Sequence, residues 1–205
     1  MDGIIFDVDG TLWDSTDVVA IAYNLILEKY TDTRVDSARL KRLFGKPMDV
    51  IFQNLIPDAT EEERKDIVEQ CLIAEEEQIE EKHPVPYDGV KEMLQILSEK
   101  YPLFIVSNCQ CGYIEQFLRL TGNEKYITDT LCFGQTGTSK GQTILKLMEK
   151  NNLKHPVYVG DTQGDADACK EAGIPFIFAE YGFGNVKEAD GRIAMPMELI
   201  KLIGA

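Results

Sequence analysis

The chain has 205 residues, 44% hydrophobic and 27% charged, and a formal net charge of −14 from 35 acidic and 21 basic residues. That length buries a substantial core without disulfides or a structural metal. The acidic excess argues against nucleic acid as a partner, because phosphate backbones are bound by neutralising them with Lys and Arg, and it disfavours an anionic membrane surface. A small anionic substrate stays open, since a local field can oppose the net charge.

The five cysteines, Cys71, Cys109, Cys111, Cys132 and Cys169, are odd in number and spread along the chain, so they read as reduced thiols. His83 and His155 lie far from the one close pair, Cys109 and Cys111, and no zinc pattern results. No segment approaches the ~20 apolar residues of a membrane span. The chain starts in a strand pattern without a charged or apolar leader, so a cytoplasmic protein is the expectation.

In chain order, the first element is the apolar run Ile4-Ile5-Phe6, a strand that ends at Asp7. Trp13 reads as a packing residue and Asp14 as the start of the helix that follows. Helical patterns then occupy Thr16–Tyr30, Asp36–Phe44, Met48–Asn54 and a long stretch from Thr60. Thr60-Glu61-Glu62-Glu63 is a capping-box pattern, and Val68, Leu72 and Ile79 fall on one face of that helix. Its acidic run Glu75-Glu76-Glu77 reads as a solvated face. Pro84 to Gly89 is a turn-rich exit.

From Val90 onward helices and strands alternate. Helices are expected over Val90–Lys100, Tyr113–Thr121, Gly141–Asn151 and Asp165–Ala172, the last closed by Gly173. Strands are expected at Leu103–Val106, Thr130–Phe133, Val157–Val159 and Ile174–Phe178. Their continuous hydrophobicity suits strands buried on both faces, and the alternation implies a parallel α/β sheet with helices on both faces. Residues 15–83 break that alternation and read as an inserted helical unit, leaving 1–14 and 84–205 as the core. Tyr181-Gly182-Phe183-Gly184 reads as a turn.

In a parallel sheet, ligands bind beyond the carboxyl ends of the strands. Asp7 and Asp9, Ser107 and Asn108, and Asp161 each follow a strand run, and Asp165 lies four residues beyond Asp161. Singly, each is an ordinary turn or cap residue; together they converge on one edge. Carboxylates ~4 Å apart at an effective dielectric of ~20 repel by roughly 4 kcal/mol per pair, so such a cluster needs a cation, and oxygen-only ligation suits Mg²⁺. Gly10 and Thr11 allow close backbone approach, and Ser107-Asn108 adds donors for an anion. By spacing alone, Lys140 in the loop Gly137-Thr138-Ser139-Lys140-Gly141 reads as a surface lysine.

Asp7-Val8-Asp9-Gly10-Thr11-Leu12, Ser107-Asn108, Lys140 and Gly160-Asp161-Thr162-Gln163-Gly164-Asp165 resemble, in order, the four motifs of the haloacid dehalogenase-like hydrolases. The helical insertion is similar to the α-helical cap of the phosphoglycolate phosphatase-like branch, on a Rossmann-like core. The resemblance implies that Asp7 is a nucleophile that becomes an aspartyl-phosphate, and that Asp9 is the general acid and base and lends its carbonyl to the metal. It implies Mg²⁺ on the side chains of Asp7 and Asp161, with Asp165 binding it directly or one shell out. Gly10, Ser107, Asn108 and Lys140 would hold the substrate phosphate.

An acid at Asp9 points to phosphate chemistry, because dehalogenases of the superfamily lack it. Gly45-Lys46-Pro47 is similar to the cap loop that faces substrate, with Lys46 as the expected contact; Lys41 and Arg42 read as the exposed face of their helix. The reading is a phosphatase acting on a small phosphate ester as a monomer or weak homo-oligomer. A phosphosugar mutase of the same branch is the alternative, and a non-catalytic binding protein on the same scaffold is a third reading.

Overall fold

The computed structural model describes residues 1–205. Strand β1 (Ile4–Phe6) is followed by the two-residue β2 (Trp13–Asp14) and four helices, α1 (Thr16–Leu27), α2 (Ser37–Lys41), α3 (Met48–Leu55) and α4 (Glu61–Lys82). The short β3 (Val85–Pro86) returns antiparallel to β2, so both passages between the sheet and the helical block run side by side. The alternating part then runs through α5 (Val90–Ser98), β4 (Leu103–Ser107), α6 (Tyr113–Thr121), β5 (Asp129–Cys132), the one-turn α7 (Phe133–Thr136) and α8 (Lys140–Lys150). It ends with β6 (Val157–Gly160), α9 (Gln163–Ala172), β7 (Phe176–Ala179), β8 (Gly191–Ile193) and α10 (Glu198–Ile203).

Six strands form one parallel sheet in the order β5-β4-β1-β6-β7-β8. The sequence of strands reverses at β1, the switch point where α/β sheets open a crevice. Phe6 lies opposite both Ile105 and Val159, so Asp7, Ser107 and Asp161 leave the sheet along one edge.

Alternate residues of each strand feed two separate cores. Ile4, Phe6, Leu103, Ile105, Val157 and Val159 pack with Val90, Leu94 and Leu97 of α5, Ile114 and Phe117 of α6, and Leu199 of α10. Ile5, Phe104, Val106, Tyr158, Phe176 and Phe178 face the other way, onto Ile144 and Leu147 of α8 and Ala168 and Cys169 of α9. Helices thus cover both faces, the α/β class expected from continuous apolar strands. No helix is long and apolar enough to cross a membrane.

Two expectations are corrected. On α4 the buried positions are Ile67, Cys71, Ala74, Glu75 and Ile79, while Val68 and Leu72 are only half-buried. Glu75 is 2% exposed, so only Glu76 and Glu77 of the acidic run face solvent. The cause is that α4 packs on α1 along one side and is tied to α6 along another. Gln116 Nε2 donates to the Glu76 carbonyl at 2.9 Å, and the Arg119 guanidinium pairs with both Glu80 oxygens. Strands β2, β3 and β8 also escaped the apolar-run pattern, being two or three residues long and, for β8, at a sheet edge. The capping box is present: Thr60 N–H donates to Glu63 at 2.9 Å and Glu63 N–H to Thr60 Oγ1 at 3.3 Å.

Phe104→Ala, which empties a fully packed site between the sheet and α8, is expected to lower unfolding stability by about 3–5 kcal/mol. Val85→Ala, at a side chain 74% exposed, should stay within about 0.5 kcal/mol. Urea midpoints of the two variants against wild type decide it.

Candidate active site

At the end of β1, Asp7 N–H donates to the Val159 carbonyl at 2.9 Å, fixing Asp7 against β6. The Val8 carbonyl then accepts from Thr11, Leu12 and Trp13, folding the chain into a tight turn. Gly10 adopts φ +80° in that turn, and a Cβ there would lie 2.1 Å from Asp161 Oδ2. Gly10 therefore gives Asp161 its room; it does not border the cavity described below.

Lys140, the first residue of α8, is buried, with its ammonium 3.0 Å from Asp7 Oδ2 and 2.5 Å from Asp165 Oδ1. The expectation of a surface lysine from spacing alone is overturned: its side chain is 4% exposed. Burial works against its charge, but the Asp165 and Asp7 carboxylates outweigh that and raise it well above the usual lysine range.

Asp165 is saturated. Its Oδ1 accepts from Lys140 and, at 3.5 Å, from the Tyr158 hydroxyl. Its Oδ2 accepts from the N–H groups of Asp161 and Thr162 and from Thr162 Oγ1 at 2.7 Å. Asp161 Oδ2 accepts from Phe183 N–H at 2.7 Å, and Oδ1 from the Thr11 hydroxyl at 3.4 Å.

The carboxylates of Asp7, Asp161 and Asp165 offer oxygens within 4.8 Å of one another. One ammonium faces three carboxylates, so the ionised set keeps excess negative charge. Burial pushes Asp7 upward, opposed by Lys140 and reinforced by Asp165; burial also raises Asp161, helped by Asp165 and Asp7. Asp7 Oδ1 is buried without any hydrogen-bond partner. An orphaned carboxylate oxygen in an oxygen-only cluster fits a hard divalent cation of the Mg²⁺ type.

Asp9 stands apart from that cluster. Its Oδ1 accepts from the Ser15 hydroxyl at 2.6 Å, the Tyr113 hydroxyl at 2.7 Å and the Trp13 indole at 3.1 Å. Burial pushes its carboxyl up to about 7, against the Ser15 and Tyr113 hydrogen bonds and with help from Asp7 and Glu75. An acid in that range can both give and take a proton near neutrality.

Asp7, Asp9, Ser107, Asn108 and Cys109 border a cavity of about 30 Å³, closed on the other side by Phe44, Gly45, Lys46 and Ile51 of the helical block. Asn108 Nδ2 donates to the Gly45 carbonyl at 2.8 Å, joining the two sides. Lys46 thus borders the cavity, whereas Lys41 pairs with Asp14 at 2.6 Å and lies over the Phe183 ring, and Arg42 is exposed.

Several contributors were not legible as such. The segment expected as a plain turn borders the site: Tyr181 donates to the Thr11 carbonyl at 2.9 Å, Phe183 N–H holds Asp161, and a Cβ on Gly182 would fall 2.3 Å from the Gly10 carbonyl. Two glycines flanking an aromatic just after a strand were the available signal. Trp13 packs against Tyr113 and Phe117 as expected, but also donates to Asp9. Nothing near Tyr113 or Ser15 in sequence marks them as partners of Asp9. Glu75 takes one hydrogen bond from Gln110 at 2.9 Å, and its other oxygen is buried without a partner.

The sequence model of a family described as haloacid dehalogenase-like hydrolase matches residues 4–179. A phosphoglycolate phosphatase of Aquifex aeolicus is 26% identical over 98% of this chain and 95% of its own length. The pyrophosphatase PpaX of Listeria innocua is 26% identical over 82% of this chain and 78% of its own. Among solved structures, a haloacid dehalogenase-like family protein from Streptococcus pneumoniae superposes with a TM-score of 0.88 at 19% identity, covering 99% of this chain and 98% of that one. CbbY of Rhodobacter sphaeroides, in complex with xylulose-(1,5)-bisphosphate, gives 0.82 at 16% identity, over 97% and 96% of the two chains. At these identities the two structures speak for the fold alone.

The raised carboxyl of Asp9 has a consequence for stability. An aspartate free in the unfolded chain loses its proton near 3.8, and Asp9 in the fold near 7, so between those values the native state binds more protons and Asp9 costs stability as pH rises. Asp9→Asn, which mimics the protonated acid, should match wild type at pH 4 and exceed it at pH 8 by up to about 4 kcal/mol. Denaturant midpoints of both proteins across that range, in EDTA, provide the check.

Proposed function

The chain belongs to the haloacid dehalogenase-like hydrolase family, and we propose that it is a Mg²⁺-dependent phosphatase cleaving a small phosphate monoester through an aspartyl-phosphate. One observation carries the reading. Asp7 is buried with Lys140 on one oxygen and nothing on the other, two residues before an aspartate placed to exchange protons near neutral pH.

In this mechanism Asp7 attacks phosphorus and the leaving oxygen departs with a proton from Asp9. Asp9, now ionised, takes a proton from the water that opens the aspartyl-phosphate, so one hard displacement becomes two easier ones. Lys140 keeps Asp7 ionised and, with the Ser107 hydroxyl and donors at Asn108, holds the phosphoryl oxygens. Such transfer depends mostly on positioning and charge stabilisation. Asp7, Asp161 and the Asp9 carbonyl would hold the metal. Asp165, with every lone pair committed, would position Lys140 and the Asp161–Thr162 turn. When bound, Mg²⁺ supplies positive charge to the transferring phosphoryl group and offsets the carboxylates that otherwise repel.

We assign residues 15–83 as the cap and 1–14 with 84–205 as the core. A cavity of about 30 Å³ holds about two waters, so substrate needs the Gly45 loop to withdraw from Asn108 and then close again, excluding water. Lys46 on that loop would meet an anionic part of the leaving group. A relative named phosphoglycolate phosphatase supports a small ester as substrate, and one named pyrophosphatase supports a small, multiply anionic phosphate compound.

With Mg²⁺, purified protein should release phosphate from p-nitrophenyl phosphate, lose that activity in EDTA and regain it on adding Mg²⁺. Asp7→Asn should lower turnover by at least about 10³-fold, as expected for loss of a covalent nucleophile. Metal-independent turnover, or an active Asp7→Asn protein, would overturn the mechanism.

A further inference from the structure

We propose that Cys111 and Cys132 form a thiol modification site, where a low-molecular-weight disulfide converts the two thiols into an intrachain disulfide beside the Ser107–Asn108 loop.

Cys132 ends β5 directly opposite Ser107 of β4. The loop leaving β4 carries Cys109, Gln110 and Cys111 and curls back over it. The Cys132 thiol donates to the Gln110 carbonyl at 3.6 Å, which places its sulfur against the residue between the other two cysteines. Gly134 N–H donates to the Cys109 carbonyl at 3.0 Å, and a Cβ on Gly134 would sit 2.5 Å from the Cys111 nitrogen. The two backbones therefore touch at this point, and disulfides require this kind of approach, with Cα atoms about 4.4–6.8 Å apart.

The three cysteines differ in what reaches them. Cys111 is exposed; Cys109 and Cys132 are buried. Cys132 is lowered to about 7, first by the Cys109 thiol donating to it, then by the N–H groups of Gln135 and Gly134, with burial opposing. A thiolate formed near ambient pH is the effective attacker in disulfide exchange. Cys71 and Cys169 are buried elsewhere in the two cores.

The chemistry balances with a small disulfide R–S–S–R as oxidant. The Cys111 thiolate attacks one sulfur, the R–S–S–R bond breaks, and R–S⁻ leaves and takes a proton from water. The Cys132 thiolate then attacks Cys111 sulfur in the mixed disulfide, a Cys111–Cys132 bond forms, and the second R–S⁻ leaves. Two cysteines give up two electrons and two protons, and one small disulfide becomes two thiols. The bond would fasten the loop holding Ser107 and Asn108 to the segment leading to Lys140. Its effect on turnover rests on the phosphatase reading above.

The test incubates the full chain with oxidised glutathione and reads intact mass and non-reducing peptide maps. Expected are a loss of two hydrogens, a peptide joining Cys111 to Cys132, and reversal by dithiothreitol. Cys132→Ser should stop at a glutathione adduct on Cys111, and Cys111→Ser should take up neither adduct nor cross-link. Turnover of oxidised wild type should fall at least about tenfold, as small displacements of positioning groups do, and recover on reduction, while Cys111→Ser keeps its activity in oxidised glutathione. No cross-link, a Cys109–Cys132 link in its place, or a cross-linked protein of undiminished turnover overturns the proposal. Were the reduced protein to release no phosphate, the phosphatase reading would fall while the mass result still decided the thiol pair.

Discussion

The buried ammonium of Lys140, held between Asp7 and Asp165, is the interaction on which the rest of the site depends. A charge taken out of water is costly unless its partners are placed well and their remaining lone pairs are satisfied. Here α8 supplies the ammonium, and its partners come from the end of β1, more than a hundred residues earlier in the chain, and from the start of α9, 25 residues later. Asp165 meets the requirement through its bonds to Asp161, Thr162 and Tyr158. Asp7 meets it only on one oxygen. The incompletely satisfied member is the one at the end of the central strand, open to what the cavity receives.

That arrangement makes demands on the backbone around it. Asp161 can lie beside Asp7 only because Gly10 has no side chain, and the segment after β7 can seal Asp161 only because Gly182 and Gly184 have none. The parallel sheet supplies the common edge, and β1 at its centre places the Asp7 turn between β4 and β6. At the cavity the helical block closes the far side through the Asn108–Gly45 hydrogen bond and an aromatic contact between Phe44 and Phe183, while away from it α4 is bound to the core by Gln110–Glu75, Gln116–Glu76 and Arg119–Glu80. The ties at the cavity are weaker than the ion cluster beneath it, so the Gly45 loop is held less firmly than the charged floor.

Most of this order was readable because it rests on local signals. Strands buried on both faces leave continuous apolar runs, helix ends leave Thr60 and Gly173, and the residues delivered to the sheet edge follow those runs directly. The long-range choices were not readable. Glu75 is one of three consecutive glutamates, and only packing of α4 against α1 and the loop at Gln110 decides which is buried. Lys140 looks like any loop lysine until the sheet brings Asp7 and Asp165 to it. Tyr113 reaches Asp9 across 104 residues through the fold of the β4–α6 connection, and nothing in its own neighbourhood announces that.

Asp7 and Asp9, two residues apart, show how the turn after β1 turns like charges into unlike groups. Asp7 faces an ammonium that favours its ionised form, whereas Asp9 points to three neutral donors and a half-buried surrounding that favours holding a proton. Alternation along an extended chain would point both side chains the same way; the turn built on Val8 and Gly10 sends them to different partners. Were Asp9 to share the Lys140 environment, it would be ionised and could not serve as the acid of the proposed mechanism. Were Asp7 to share that of Asp9, the oxygen left without a partner would be occupied by hydroxyl donors and closed to the attack proposed for it. The separation of roles is therefore a property of the turn, and the hydrogen bonds of Trp13, Ser15 and Tyr113 are what keep it.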